Sequence, residues 1–423
     1  MKWSMSLFSH RTSIDFAKDI ELNLDKSHGS YVYDDRTQSE FLDFFSFFAS
    51  NGLGYSHPAY ETAEFTQDIL RYSKIKVSSG RIYTKYFSDF IEQFHDFAGA
   101  GVFEKYFFIH GGALAVENAL KVAFDWKAKR VPASVDPTTF QVIGFKGAFH
   151  GTSGYMLSIT GLPAAKVVNF PKLDWPRFEA PLLRGDDASL QKQTESHSLQ
   201  EIEKYLCGAG KDRVAAILLE PIQCTAGDFS FSASYLAELK KLCREYRVAL
   251  IFDEIQTGFG VTGNLWYWQE LGVVPDILVF GKKAQVCGLA ASADFSEAFS
   301  VPHRLNVTWD GHIVDVVRSK HLIHELQKSS IIQDVKRRGK WIADGLRKFP
   351  ELKNVRNTGL LIAFDFENPA QRDAFYTNTY ANKVLVNLAG DRTIRLRPNL
   401  YVSDSEIVDF IQRVGASLAT GKN

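Results

Sequence analysis

The chain has 423 residues, of which 45% are hydrophobic and 23% are charged, and its 49 basic residues balance its 49 acidic ones. A formal charge of zero gives no electrostatic reason to expect binding to nucleic acid or to an anionic membrane. The length allows two or three domains with a sizeable core.

The N-terminal residues 1–19 contain no apolar stretch long enough for a signal peptide. No run of about 18 apolar residues predicts a transmembrane helix. The four cysteines lack CxxC spacing, so neither a metal knuckle nor a disulfide framework is expected. These features predict a soluble protein of the cytoplasm.

Short apolar runs alternate with helical patterns along the chain, which is typical of an α/β fold with a mostly parallel central sheet. The predicted strands are 106–109, 140–145, 214–219, 248–252 and 277–280. Each ends in polar or Gly-rich residues, as at the carboxyl edge of an open sheet, where such folds place their ligands. The polar segment 186–200 is interpreted as a surface excursion that leads into a helix.

Three domains are predicted. Residues 76–314 form the large domain, and the change in pattern after residue 315 predicts a smaller α+β domain over 315–423. We expect the N-terminal segment, 1–75, to pack with this smaller domain.

Asp253 follows the apolar run 248–252, so it lies at the inner end of a buried strand. A carboxylate there needs a cationic or hydrogen-bonded partner. The protonated ring nitrogen of pyridoxal phosphate (PLP) is one such partner, and this contact would keep the ring electron-poor. The alternative is a structural role, in which Asp253 caps a helix or pairs with an arginine.

Lys282 ends the next predicted strand, 29 positions after Asp253. A lysine that forms a Schiff base needs a desolvated site, where its amine is neutral part of the time. Lys283 should point the other way. The alternative is a pair of surface lysines with exposed amines.

Gly111 and Gly112 separate a strand from a helix, an arrangement whose backbone N–H groups can hold a phosphate. Phe149 follows another strand and could stack on a flat cofactor. Either feature alone is also common in ordinary turns and cores.

Taken together, these segments resemble the class III aminotransferases, and among them the L-lysine 6-aminotransferases. The resemblance spans nearly the whole chain and includes GGALAVENALKVAFDWK (111–127), LIFDEIQTGFGVTG (250–263), PDILVFGKKAQVCG (275–288) and IRLRPNLYVS (394–403). It implies a fold-type I PLP-dependent transferase and a homodimer with shared active sites.

The resemblance also implies a role for each matching position. Lys282 would hold the cofactor as a Schiff base, and Asp253 would face the ring nitrogen. The other expected cofactor contacts are Gln256 near the ring hydroxyl, Gly112 and Ala113 at the phosphate, Phe149 on the ring face, Glu220 close to the ring, and Thr308 reaching the phosphate from the neighbouring subunit.

Two positions depart from the family pattern. Thr152 stands where the family has an arginine that grips the α-carboxylate of the substrate. Thr225 stands where the family has a glutamate that covers a C-terminal arginine, here Arg397. Without that glutamate, we expect Arg397 to be free to bind a carboxylate at all times. We also expect Arg395 to point to the opposite face of its strand, away from the substrate.

The resemblance therefore predicts a ping-pong transfer of a terminal amino group from a lysine-like or other amine donor to a keto acid such as 2-oxoglutarate. The two threonines predict a donor other than free L-lysine. One alternative is another reaction of the same fold, such as decarboxylation, racemisation or an aminomutase reaction. The other is a catalytically silent subunit, against which the intact Lys282 and Asp253 argue.

Overall fold

The structure is a computed structural model that describes residues 20–77, 82–163, 166–185 and 187–419. The expectations for residues 1–19 and for Asp186 lie outside these ranges. Among the described residues, no helix has both the length and the apolar character needed to cross a bilayer.

The described residues form strands and α-helices, which we number in chain order. The strands are β1 Leu22–His28, β2 Tyr31–Asp34, β3 Ser39–Asp43, β4 Lys105–Ile109, β5 Gln141–Phe145, β6 Arg177–Phe178, β7 Val214–Leu219, β8 Ile222–Gln223, β9 Phe229–Ser230, β10 Ala249–Asp253, β11 Ile277–Phe280, β12 Cys287–Ala291, β13 Lys353–Thr358, β14 Leu361–Asp365, β15 Val384–Leu385, β16 Asn387–Ala389 and β17 Thr393–Leu396. The helices are α1 Ser46–Ala49, α2 Ala63–Ser73, α3 Lys85–Ala98, α4 Gly112–Ala128, α5 Ala188–Cys207, α6 Ala233–Glu245, α7 Trp268–Leu271, α8 Ile313–Lys328, α9 Ile331–Leu346, α10 Pro369–Ala381 and α11 Asp404–Ala419.

The central sheet has seven strands in the order β4-β12-β11-β10-β7-β5-β6. Strand β12 is antiparallel to both of its neighbours, whereas the other pairings are parallel. Six strands therefore run in one direction, which confirms the predicted mostly parallel sheet. The sequence analysis did not predict β12, because CGLAA has few of the large apolar residues that indicate a strand.

The central strands are apolar along their whole length because both faces of the sheet are covered. All six residues of β7 are buried, as are all five residues of β10. Helix α4 packs on one face through Val116, Leu120 and Ala123, which are all buried. Phenylalanine rings fill much of the other face, and those of Phe94 and Phe280 lie 4.9 Å apart.

The polar segment 186–200 is not a surface excursion but mostly part of helix α5. This helix begins at Ala188, and the Asp187 side chain accepts hydrogen bonds from the N–H groups of Ser189 and Leu190. Its buried side is narrow and includes Ile202 and Leu206. A helix that is polar around most of its circumference gives a weak periodic signal, which is why the prediction was wrong.

The N-terminal strands join the C-terminal part of the chain. Strand β3 pairs in parallel with β15, and the rings of Phe44 and Phe410 are stacked with centroids 3.9 Å apart. The four-stranded sheet β13-β14-β17-β16 belongs to the same C-terminal region. Glu406 links the two ends of the chain, because its carboxylate accepts hydrogen bonds from the N–H groups of Ser30 and Ser403, each 2.6 Å long.

We predict that Glu406→Ala lowers the free energy of unfolding by about 2–4 kcal/mol, because it leaves the N–H groups of Ser30 and Ser403 without an acceptor. Urea denaturation measures this loss, and limited proteolysis should show earlier cleavage in β1–β3. The control is Glu367→Ala, at an exposed glutamate of the same region. Equal stability of the two variants would contradict the linking role of Glu406.

Candidate active site

The expected site residues lie at the carboxyl edge of the central sheet, where β10 and β11 end side by side. In their parallel register Asp253 is opposite Val279, so Lys282 follows only three residues beyond that pair. The chain leaves β11 through Gly281 and enters a short 3-10 helix at Lys282. Two neighbouring parallel strands thus place the carboxylate and the lysine at the same edge.

Lys282 has a left-handed backbone conformation, with φ near 50°, which is unusual for a residue other than glycine. Burial lowers the pKa of its amine to about 8, and the nearby guanidinium groups of Arg395 and Arg397 act in the same direction. An amine with this pKa is neutral and nucleophilic in a substantial fraction of molecules at neutral pH.

Lys283 is buried and Lys282 is half-buried, so the alternative of two surface lysines is excluded. The stem of its side chain packs against Gly52, and its Nζ has no hydrogen-bond partner among the described residues. Burial lowers the pKa of Lys283 well below its usual value, and Arg397 and Lys282 add to this effect. A neutral amine costs less to bury than an ammonium group, which accounts for the missing partner.

Asp253 is buried and is held by His150, whose Nδ1 lies 2.8 Å from Asp253 Oδ2. The other carboxylate oxygen accepts the N–H of Ile255. His150, which directly follows Phe149, was given no role from the sequence. A histidine next to a candidate cofactor-stacking residue, at a strand end, was the signal that could have identified it.

Glu220 fixes the loop that carries Phe149. Its carboxylate accepts the N–H of Phe149 at 2.8 Å and that of Cys224 at 3.4 Å. Burial raises the pKa of Glu220 to about 7, and the nearby Asp253 adds to the increase. The position of this loop therefore depends on a buried acid whose hydrogen-bond donors, among the described residues, are backbone N–H groups.

The N-terminus of α4 forms a cradle suited to an anion. Gly111 precedes the helix with φ near 110°, a conformation that favours glycine, and provides no side-chain cap. The first N–H groups of a helix, here those of Gly112 and Ala113, have no partner within it. Gly151 closes the cradle, because a Cβ at that position would lie 2.5 Å from the Cβ of Ala113.

Arg397 is buried and paired, so the expectation that it is free to bind a carboxylate was wrong. Its Nη1 donates to Oδ2 of Asp228 at 2.7 Å, and its Nη2 donates to Oδ1, in a bidentate pair. Its Nε donates to Gln256 Oε1 at 3.2 Å. The carboxylate missing at position 225 is therefore supplied three residues later, by the loop between β8 and β9.

Arg395 lies on the same side of β17 as Arg397, not on the opposite face. Side chains alternate along a strand, so residues two apart share a face, and our expectation misapplied that rule. Arg395 is buried, and its Nη1 donates to the carbonyl of Cys224 at 2.9 Å. It braces the loop that carries Asp228.

The remaining expected residues lie further out. Thr152 and Thr308 are exposed, and Thr225 is half-buried in the β8–β9 loop. The structure therefore brings together Lys282, Asp253, Glu220, Phe149 and Arg397, but it does not place Thr308 in the site of its own chain.

These residues fit PLP. The cofactor needs a neutral lysine amine, an acid for its ring nitrogen and an anion cradle for its phosphate, and the sheet edge offers all three. His150 Nε2 is buried without a partner in the described part of the chain. A bound polar group would give this buried nitrogen the hydrogen-bond partner that it lacks.

Comparisons with known proteins agree with this geometry. Residues 15–418 match the model of the family described as aminotransferase class-III. The chain is 38% identical over 413 residues to an L-lysine-epsilon aminotransferase of Mycobacterium tuberculosis, covering 95% of this chain and 92% of that protein. It is 34% identical to the corresponding protein of Streptomyces clavuligerus, with coverages of 95% and 91%. The solved structure of lysine aminotransferase from M. tuberculosis superposes with a TM-score of 0.94 at 37% identity, covering 99% of this chain and 98% of that chain.

We predict that covalent attachment of pyridoxal phosphate to the cofactor-free protein accelerates with pH, with a midpoint near pH 8. The neutral amine is the nucleophile, so the rate follows the deprotonation of Lys282, whose pKa is about 8, and not that of an ordinary lysine near 10.4. Absorbance after rapid mixing measures the rate. The Lys282→Ala variant should form no adduct at this site, and a midpoint at pH 10 or above would contradict the prediction.

Proposed function

The chain belongs to the class III aminotransferases and is a PLP-dependent transaminase, and from this premise we propose how its residues divide the work. A terminal amino group passes from a lysine-like donor to a keto acid such as 2-oxoglutarate. The observation that carries the proposal is the buried, partly neutral amine of Lys282 at the same sheet edge as the Asp253–His150 pair.

When bound, PLP supplies an aldehyde that condenses with amines and a ring that withdraws electrons from the donor carbon. Lys282 would hold the cofactor, and its free amine would act as the general base that carries a proton away from the donor carbon. Asp253 provides the negative charge for the ring nitrogen, and His150 keeps its carboxylate in place. The N–H groups of Gly112 and Ala113 bind the phosphate.

Gln256, Phe149 and Glu220 position the ring in this proposal. Phe149 covers one face, and Glu220 fixes its backbone through the 2.8 Å hydrogen bond. Gln256 connects the ring side of the site to Arg397. A change in the hydrogen bonds of Arg397 can therefore alter the position of Gln256 beside the ring.

Arg397 and Asp228 control the two half-reactions in this proposal. While the amine donor is bound, Asp228 neutralises Arg397, so the arginine does not bind the donor's carboxylate in an unproductive orientation. The carboxylate of the keto acid then replaces Asp228 as a bidentate partner. The exposed Thr152 provides no cation for a donor carboxylate, so donors that lack a free one, such as lysine derivatives or diamines, suit the site.

We further propose a homodimer with shared sites and a cytoplasmic location. Thr308 is exposed and lies outside the site of its own chain, which fits a contact with the cofactor phosphate of a second subunit. All four cysteines are free thiols, a state typical of a reducing compartment.

We predict that borohydride treatment of the holoenzyme adds the mass of the reduced cofactor to the peptide that contains Lys282, and that a reactive donor alone converts the bound cofactor to pyridoxamine phosphate. That half-reaction distinguishes transamination from decarboxylation and racemisation, which leave PLP unchanged. Mass spectrometry and absorbance follow the two steps. An unmodified peptide would overturn the assignment of Lys282, and unchanged PLP with every donor would overturn transamination.

The same donor panel tests specificity. L-lysine should be a poorer donor than lysine derivatives or diamines. Thr152→Arg should lower KM for L-lysine on the order of tenfold, because a charge-assisted hydrogen bond contributes about 1.5–3 kcal/mol. If L-lysine is the best donor of the unaltered enzyme, the specificity proposal fails while the assignment of Lys282 stands.

We predict that Asp228→Asn lowers the inhibition constant of glutarate, an unreactive dicarboxylate, by about tenfold or more. The substitution removes the charge that competes for Arg397, and a charge-assisted pair of this kind is worth about 2–5 kcal/mol when broken. Competition kinetics against 2-oxoglutarate measures the constant.

Thr225→Glu is the matched variant with the opposite expected sign. It adds a carboxylate to the same loop, so glutarate should bind more weakly. Equal inhibition constants for the unaltered enzyme and Asp228→Asn would show that Arg397 does not bind the keto acid.

A further inference from the structure

A second group of ligand-type side chains lies where β4 ends beside the start of α8, directly before Gly111 of the anion cradle. It consists of His110, His312 and Asp315, whose donor atoms all lie within 4.8 Å of one another. Nδ1 of His110 is 2.9 Å from Oδ2 of Asp315, and Nδ1 of His312 is 3.4 Å from the same oxygen. The two imidazole rings are 5.4 Å apart, centroid to centroid.

These distances are close to what a tetrahedral metal ion requires. Zinc binds imidazole nitrogen at about 2.0 Å, so two ligand atoms of a tetrahedral site are roughly 3.3 Å apart. The His110 side chain is 69% exposed and can rotate to close the remaining gap. His312 Nδ1 is buried and makes no hydrogen bond with a described residue, so it is available as a ligand.

The surroundings hold the carboxylate in a suitable orientation. Arg318 Nη1 donates to Oδ1 of Asp315 at 2.9 Å, which leaves Oδ2 directed toward the two histidines. Partners of this kind orient metal ligands in known sites. His312 and Asp315 lie at the first turn of α8, whose N-terminus disfavours a cation, and the full negative charge of Asp315 opposes that effect.

We propose that His110, His312 and Asp315 bind one first-row divalent transition metal ion, such as Zn²⁺, with water as the fourth ligand. Two imidazoles and one carboxylate with an open position suit Zn²⁺ and not Mg²⁺, which prefers oxygen ligands. The ion ties the end of β4 to the segment before α8. That segment already contacts β4 through the bridge between Ile109 and Asp310 and the hydrogen bond from the Gly311 N–H to the Phe108 carbonyl.

A second cluster of similar size provides a comparison. Glu64, Asp68 and His321 also have donor atoms within 4.8 Å of one another. It offers one imidazole instead of two, and its other two donors are carboxylate oxygens. It is therefore the weaker site for a transition metal.

The test uses chelator-treated holoenzyme and Zn²⁺ alone. Calorimetry should show one ion bound per chain, and thermal unfolding should shift to higher temperature as Zn²⁺ is added. His110→Ala, His312→Ala and Asp315→Asn should each weaken binding at least about tenfold and abolish the thermal shift. Thermal unfolding without metal checks that each variant is folded.

Two control variants separate this site from other metal binding. His28→Ala removes an exposed histidine that pairs with Glu40 at 3.1 Å, and His321→Ala removes the imidazole of the second cluster. Neither should change the stoichiometry or the thermal shift. No stoichiometric binding by the unaltered protein, or binding that survives both His110→Ala and His312→Ala, overturns the proposal, as does loss of the thermal shift in His321→Ala.

Discussion

The site depends on one constraint, which is the desolvation of an amine at the carboxyl edge of the sheet. Lys282 follows a strand whose residues are all buried, and this environment disfavours its charged form. A pKa shift from about 10.5 to about 8 corresponds to roughly 3 kcal/mol at 1.36 kcal/mol per unit. The packing of β10, β11 and α4 keeps Lys282 desolvated in spite of this cost. As a result, its amine is nucleophilic near neutral pH.

The same desolvation requires partners for the charged groups at this edge, apart from Lys283, whose burial favours the neutral amine. Asp253 is held by His150, Arg397 by Asp228, and Glu220 by two backbone N–H groups. The partners come from two loops, one that carries Phe149 and His150 and one that carries Cys224 and Asp228, so these contacts also fix both loops against the sheet edge. Breaking one buried pair would cost about 3–5 kcal/mol, because it leaves the other charge without compensation. The network therefore sets the geometry of the site as well as its electrostatics.

The sequence predicted the part of the site that depends on strand ends. Asp253 and Lys282 each follow an apolar run directly, and parallel strands bring their carboxyl ends together. The partner of Arg397 was not predictable in this way. Asp228 lies in a hairpin loop with φ near 60°, and no periodic pattern indicates where a loop side chain points. The first part of helix α5 and strand β12 were missed for a related reason, since neither has a strong apolar pattern.

The pair of Asp228 and Arg397 has a property that a salt bridge with a purely structural role does not require. A buried ion pair adds little stability compared with apolar residues of similar size. A bound carboxylate, however, offers Arg397 the same bidentate geometry that Asp228 offers. Exchanging one for the other keeps the arginine compensated throughout, so the exchange costs far less than exposing a lone buried cation. The proposed alternation between two kinds of ligand thus depends on the loop at residue 228, while position 225 can be an uncharged threonine.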